Sequence, residues 1–215
     1  MIDKTELASL RQEYARHQLS RASIAADPFE QFSKWFNESI KAQIFEPNAM
    51  HLGTASPEGV PSGRTVLLKG YDENGFTFFT NYLSRKSADL LANPNCYLHF
   101  FWKELERQVL IRGVAAKTTE KESDDYFAIR PYQSQIGALA SKQSSVVESR
   151  EILEAKFEEL KQKYPEGSVP RPDFWGGFRV TPTEFEFWQG RPSRLHDRIL
   201  YSRVETGWTT SRLSP

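Results

Sequence analysis

Two neighbouring stretches decide the fold: C-Y-L-H-F-F-W, Cys96 to Trp102, and R-Q-V-L-I-R-G-V-A, Arg107 to Ala115. Both are short, rich in β-branched and aromatic residues, and bounded by polar residues, as strands are. The same pattern extends in both directions. Upstream, H-L-G-T-A-S from His51 runs into the turn signal P-E-G. R-T-V-L-L-K (Arg64–Lys69) and F-T-F-F-T (Phe76–Thr80) follow, the second preceded by the turn D-E-N-G. Downstream, strands return at F-W-G-G-F-R-V from Phe174, E-F-E-F-W from Glu184 and R-I-L-Y-S-R-V from Arg198. Short strands broken by turns predict a small antiparallel barrel or sandwich, mainly β with flanking helices.

Helical signals surround this block. Asp27-Pro28-Phe29-Glu30 is a start signal, with Asp as N-cap and Pro at the first helical position. Phe29, Phe32, Trp35, Phe36 and Ile40 then make one apolar stripe. Leu7 to Leu19 is a weaker amphipathic segment that carries Arg11 and Tyr14. Further helices are expected from Ser84 to about Asn93, from Thr119 to Ile129, and from Val146 to Lys163 with Ile152, Leu153, Phe157 and Leu160 inward. The implied organisation is a helical arm and packing helix over 1–45 and a strand-rich body over 46–215, together one structural domain.

Charge and composition restrict the partners. Lys+Arg and Asp+Glu are equal at 28 each, so no global field attracts nucleic acid or an anionic membrane. Cys96 is alone, which rules out an intramolecular disulfide and suits a small buried hydrophobe. The N-terminus lacks the layout of a signal peptide, and no apolar run is long enough to span a membrane. A cytoplasmic protein is expected. His17, His51, His99 and His196 are scattered without metal-ligand spacing, so no metal is expected. No glycine-rich nucleotide loop is present. Any bound phosphate must be held largely by side chains.

Four constellations could do so. Phe185 to Arg198 gathers Trp188, Arg194, His196 and Arg198. In an extended segment the last three share a face, which suits an anionic or planar ligand, or equally a solvated strand edge. The helix after Ser84 opens on Arg85 and Lys86, where the helix dipole disfavours cations. An anion there would remove the conflict, as would side chains extended into solvent. Tyr126 and Arg130 lie one helical turn apart with Ser134 just beyond, a possible second phosphate site. Arg64 and Lys69 fall on opposite faces of an unbroken strand, so they cannot both reach one ligand from it. Gln108, on the face of Leu110, and Gln143 to Ser145 add amides and hydroxyls.

These motifs, in this order, resemble the pyridoxine (pyridoxamine) 5′-phosphate oxidase family over nearly the whole chain. The resemblance rests on R-T-V-L-L-K, S-R-K at Ser84–Lys86, L-E-R-Q-V at Leu105–Val109, R-P-Y-Q-S-Q-I-G-A from Arg130, S-K-Q-S-S from Ser141, F-W-G-G-F-R-V and E-F-W-Q-G…R-L-H-D-R. It implies a split-barrel homodimer with FMN at the subunit interface. FMN contacts are then expected at Arg64, Thr65, Val66, Leu67, Leu68, Lys69, Phe79, Thr80, Arg85, Lys86 and Gln108, with Gln143, Ser144, Trp188 and Arg198 reaching over from the other subunit. The substrate phosphate falls to Lys69, Tyr126, Arg130 and Ser134. Arg194, Leu195 and His196 lie at the pyridine ring, Arg194 and His196 being catalytic, and Arg11 with Tyr14 closes the site. The implied reaction oxidises pyridoxine or pyridoxamine 5′-phosphate to pyridoxal 5′-phosphate, with oxygen as acceptor and hydrogen peroxide as product. Another split-barrel flavin or deazaflavin oxidoreductase, or a non-catalytic carrier of flavin or pyridoxal phosphate, is the alternative. Two departures from the family pattern are Phe79 where tyrosine is frequent, and a single arginine in the R-Q-E-Y arm.

Overall fold

The computed structural model describes residues 3, 9–10, 13–15 and 17–215. The chain divides into two compact units: one contains the chain up to Pro47 with His99–Ile111 and Thr183–Pro215, the other Asn48–Leu98 with Arg112–Pro182. The strand order is β2 (Pro61–Leu67), β1 (Ala49–Ala55), β5 (Asn95–Trp102), β6 (Arg107–Lys117), β7 (Trp175–Gln189), β4 (Gly75–Asn81) and β3 (Gly70–Asp72), with β8 (Asp197–Val204) paired to β7 and β9 (Gly207–Leu213) paired to β8.

In the second unit, β1 (Ala49–Ala55) and β2 (Pro61–Leu67) form an antiparallel hairpin from Ala49↔Leu67 to Ala55↔Pro61. A second hairpin joins β3 (Gly70–Asp72) to β4 (Gly75–Asn81) through the D-E-N-G turn. Gly75 stands there at φ +138°, which a side chain rarely tolerates. β4 then pairs antiparallel with the first half of β7 (Trp175–Gln189). The aromatic residues of F-T-F-F-T divide by parity: Phe76 and Phe78 are fully buried with Leu52, Leu98 and Phe178, while Phe79 faces the other way. β5 (Asn95–Trp102) and β6 (Arg107–Lys117) show the same alternation of buried and exposed positions.

Helices flank this sheet. α1 (Pro28–Lys41) belongs to the first unit, and the Asp27 carboxylate caps it by accepting from Phe29 N–H at 2.7 Å. Its Phe32 and Trp35 are buried against Phe100 and Phe187, with ring centroids 5.1 and 5.3 Å apart. Ile40, at the end of the expected stripe, is exposed. The second unit carries α2 (Arg85–Ala92), α3 (Glu120–Ala128), α4 (Tyr132–Ala140) and α5 (Arg150–Lys163). Thr119 and Glu122 form a reciprocal capping box at the start of α3. Pro131 separates α3 from α4, a helix beyond the sequence expectation, in which this proline only ends α3. α5 starts at Arg150 rather than Val146, after Ser149 as N-cap, and its Ile152 is exposed while Leu160 is buried.

The first unit ends with β8 (Asp197–Val204) and β9 (Gly207–Leu213), an antiparallel hairpin turning at Gly207. β8 also pairs with the second half of β7, from Glu184↔Ser202 to Gln189↔Asp197. β9 was not expected from sequence, since its polar W-T-T-S-R has no apolar run. No helix among the described residues is long and apolar enough to cross a membrane.

Candidate active site

The second unit holds a cavity of about 740 Å³ lined by β2, β4, α2, α3 and α4. Its aromatic wall is a stack of Phe79 on Tyr126, with centroids 4.0 Å apart, continued by Trp175 at 5.5 Å from Phe79. The double glycine of F-W-G-G makes that stack possible. Register sets Phe79 opposite Gly177 and Thr80 opposite Gly176. A Cβ on Gly177 would stand 2.9 Å from the Phe79 ring, and one on Gly176 would stand 2.8 Å from the Ser123 hydroxyl.

One cluster of lining residues is cationic and incomplete. The Arg130 guanidinium lies 4.6 Å over the Trp175 ring, and its Nη1 is buried without a hydrogen-bond partner among the described residues. A buried donor left unpaired is costly, and more so when it is charged. Burial depresses the pKa of Arg130, with a smaller opposing effect of Tyr126. Lys69, Tyr126 and Ser134 line the same cavity, with the Lys69 ammonium 6.0 Å from the Tyr126 ring centre. Tyr126 comes from the last turn of α3 and Ser134 from the first turn of α4, so Pro131 brings the two helix ends together. Lys69 sits just past the end of β2 and donates its N–H to Thr77 O at 2.9 Å. That break removes the parity conflict between Arg64 and Lys69.

A second cationic cluster lies at the start of α2. The Lys86 ammonium donates to Thr80 Oγ1 at 3.0 Å, Ser84 Oγ at 3.1 Å and Gln143 Oε1 at 2.6 Å. All three acceptors are neutral. Burial first, and repulsion from Arg64 second, push its pKa down to about 8. Arg85 N–H donates to Ser144 Oγ at 3.3 Å. Arg64 is held by Thr54 Oγ1 at 2.8 Å and Ser62 Oγ at 2.7 Å, with the buried Asp89 carboxylate 4.0 Å away. Thr65, Val66, Leu67, Phe79 and Thr80 line the cavity, whereas Arg64 does not, and Leu68 is buried in the core. Gln143 and Ser144 stand beside Lys86 and Arg85 of their own chain.

A separate cluster forms in the first unit. The His196 ring stands 4.5 Å from Trp188 and 6.1 Å from Tyr14, and Tyr14 meets Trp188 edge-on at 5.9 Å. Gly190 admits Tyr14: a Cβ there would lie 2.7 Å from the Tyr14 side chain. The expectation of one extended face carrying Arg194, His196 and Arg198 is overturned. Pro192–Arg194 is a 3-10 turn with Ser193 and Arg194 at φ 57° and 61°, and β8 begins only at Asp197. Arg194 and Leu195 are exposed on that turn. Arg198 pairs instead with the Glu186 carboxylate at 2.7 Å. Gln108 finds its partner in His99 Nε2 at 2.8 Å. Arg11 lies outside the described residues. Trp175, Asn81 and Ser141 line the cavity without having been singled out in the sequence, and only the paired glycines after Trp175 signal its ring contact.

The fold is that of the split-barrel flavoproteins. Residues 36–164 match the family model "Pyridoxamine 5′-phosphate oxidase", and residues 175–215 match "Pyridoxine 5′-phosphate oxidase C-terminal dimerisation region". The chain is 55% identical over 212 residues to a pyridoxine/pyridoxamine 5′-phosphate oxidase of Rubrobacter xylanophilus, covering 99% of this chain and 98% of that one. It is 54% identical over 215 residues to the enzyme so named from Nostoc punctiforme, covering both in full. The structure of PhzG from Burkholderia lata, in complex with tetrahydrophenazine-1-carboxylic acid, superposes with TM-score 0.88 at 29% identity over 95% of this chain and 100% of that one. A pyridoxamine 5′-phosphate oxidase-related, FMN binding protein from Nostoc punctiforme shares the fold, with TM-score 0.72 at 14% identity over 89% of this chain and 100% of that one. The chain belongs to the pyridoxine/pyridoxamine 5′-phosphate oxidase family. It is a homodimeric flavoprotein whose cofactor is FMN.

Proposed function

We propose that this protein oxidises pyridoxine 5′-phosphate or pyridoxamine 5′-phosphate to pyridoxal 5′-phosphate, with oxygen as the electron acceptor and hydrogen peroxide as product. The observation that carries this reading is the buried, unpartnered Arg130 Nη1, in the same cavity as the neutral-ligated Lys86. Two desolvated cations in one cavity fit two phosphates, one on the cofactor and one on the substrate.

The start of α2 suits the FMN phosphate. Lys86, Arg85 and the Thr80 hydroxyl would hold it, with Arg64 adding positive potential behind them. An anion there relieves the repulsion between Arg64 and Lys86 and the burial penalty on Lys86. Bound FMN supplies the two-electron chemistry and passes the electrons on to oxygen. Arg130, Lys69, Tyr126 and Ser134 hold the phosphate of the substrate and fix how far its ring reaches along the aromatic wall. That is a positioning contribution, the kind able to supply several kcal/mol of barrier reduction. In the homodimer, the Arg194, His196, Trp188 and Tyr14 cluster of one protomer covers the cavity of its partner, with Arg194 clamping the ring and Trp188 and Arg198 completing the cofactor site.

The test is direct. Purified protein should be yellow or take up FMN, and pyridoxamine 5′-phosphate under air should yield pyridoxal 5′-phosphate and peroxide in equal amounts. Turnover that requires a reduced nicotinamide would replace this reading with that of a flavin reductase. Ligand binding without peroxide would replace it with that of a carrier.

A further inference from the structure

We propose that the turn between β7 and β8 locks His196 as its Nε2–H tautomer, so that the ring meets the substrate as a hydrogen-bond donor and does not accept the proton of the oxidation. This rests on the function proposed above and assigns a role to one residue of that site. The deciding contact is from the main chain: Arg191 N–H donates to His196 Nδ1 at 3.1 Å. A lone pair that accepts a hydrogen bond carries no proton. A neutral imidazole has one N–H, so its proton is at Nε2. Nε2 meets no hydrogen-bond partner among the described residues and is available to a ligand.

The backbone is shaped to make this contact. Ser193 and Arg194 both adopt left-handed conformations, at φ 57° and 61°, which cost non-glycine residues stability. Leu195 N–H closes the turn on Pro192 O at 3.1 Å, and the Gln189↔Asp197 pair anchors both of its ends. The reversal brings Nδ1 of residue 196 back onto the N–H of residue 191. Trp188 and Tyr14 hold the ring from the sides.

The surrounding charges keep the ring neutral. Burial, and then the adjacent Arg194 cation, lower the His196 pKa. The neighbouring carboxylate, Asp197, is engaged elsewhere: it accepts from Leu19 N–H at 3.0 Å and pairs with Arg212 at 2.7 Å and Arg191 at 3.6 Å. Arg198 is neutralised by Glu186. Near neutral pH His196 therefore has a proton to offer at Nε2 and an occupied lone pair at Nδ1.

The chemistry agrees with a donor. When the C4′ carbon of a neutral amine gives up hydride, the two electrons and the hydrogen leave together and an iminium cation remains. Water then converts the iminium to aldehyde and ammonium. No proton has to be removed before the hydride leaves, so the amine needs no base at this position.

Two measurements test this. In the FMN-loaded protein labelled with ¹⁵N-histidine, long-range ¹H–¹⁵N correlations, assigned against His196→Gln, should show an unprotonated Nδ1 and a protonated Nε2. A protonated Nδ1 in the neutral ring would overturn the proposal. This readout needs no turnover, so it stands apart from failure of the proposed reaction. With pyridoxamine 5′-phosphate, His196→Gln keeps an amide N–H near the place of Nε2. It should hold kcat/KM within about tenfold of wild type and keep the acidic limb that protonation of the substrate amine imposes, while His196→Ala falls about tenfold further. A glutamine variant as impaired as alanine, or loss of the acidic limb, would identify a base and sink the donor role.

Discussion

The cations of the cavity and the cations of the β7–β8 region solve opposite problems. Around β8, arginines have acidic partners: Arg198 with Glu186, Arg212 and Arg191 with Asp197. In the cavity, Lys86 rests on three neutral oxygens and Arg130 keeps a buried nitrogen unpaired. A paired arginine is at rest in the folded chain, whereas an unpaired buried cation is a standing cost that an anionic ligand can offset. The cavity is therefore built to be filled, and the β8 arginines are built chiefly to hold the strand and its turn. Arg194 is the exception in that region: it is exposed on the strained turn and has no carboxylate partner among the described residues.

The largest effect should come from the most demanding cation. If Arg130 holds the substrate phosphate as proposed, Arg130→Ala removes a desolvated charged contact worth about 2–5 kcal/mol, so kcat/KM should fall by about 30-fold to several thousand-fold. FMN affinity in the same variant should stay at the wild-type level. A loss of flavin alongside the loss of activity would show that the Arg130 and Lys86 clusters are not separate sites, and would break the assignment of one phosphate to each.

Lys86→Ala should do the reverse. A charge-assisted hydrogen bond contributes about 1.5–3 kcal/mol, so FMN should dissociate about 10- to 100-fold more readily. The pH dependence sharpens the argument. In the FMN-free protein Lys86 titrates at about 8, lowered by burial and by Arg64. An FMN phosphate held there, as proposed, favours the ammonium form and raises that pKa on binding. Affinity should be flat near pH 7, where the FMN phosphate is largely dianionic, and should decline as pH rises through the apo pKa, until the bound-state pKa is passed. Fluorescence titration of FMN from pH 6 to 10 measures this. A slope that survives in Lys86→Ala would move the titrating group elsewhere.

Most of the cavity was legible in the sequence, for reasons that differ from residue to residue. Lys86 was readable because cations at a helix start conflict with the dipole. Tyr126 and Arg130 were readable because their spacing is that of one helical turn. The geometry of Arg194, His196 and Arg198 was misread, since period-2 logic assumes extended backbone and Pro192 with two left-handed residues breaks it. α4 was missed because a proline can begin a helix as well as end one. Trp175 was invisible as a ligand-facing residue: its ring contact depends on Gly176 and Gly177 lying opposite Thr80 and Phe79, and that register is a property of the folded sheet. The side-chain inventory is local and readable, whereas facing across strands is not.

The smallest expected effect is also the sharpest discriminator between the two regions. Arg198 lies half-exposed beside Glu186, donates to Ser214 O at 2.9 Å, and faces Trp188 across the β7–β8 ladder. An ion pair of that exposure contributes less than about 1 kcal/mol to stability. Arg198→Ala should therefore leave the melting temperature nearly unchanged. If Arg198 also reaches the cofactor in the dimer, FMN must compete with Glu186 for the same guanidinium, and the variant should bind FMN less than about tenfold more weakly. Glu186→Gln separates the possibilities: it frees Arg198 without removing it, and should tighten FMN slightly if the arginine is shared. An unchanged affinity in both variants would confine Arg198 to holding β8 in place and leave cofactor binding to the unpaired cations of the cavity.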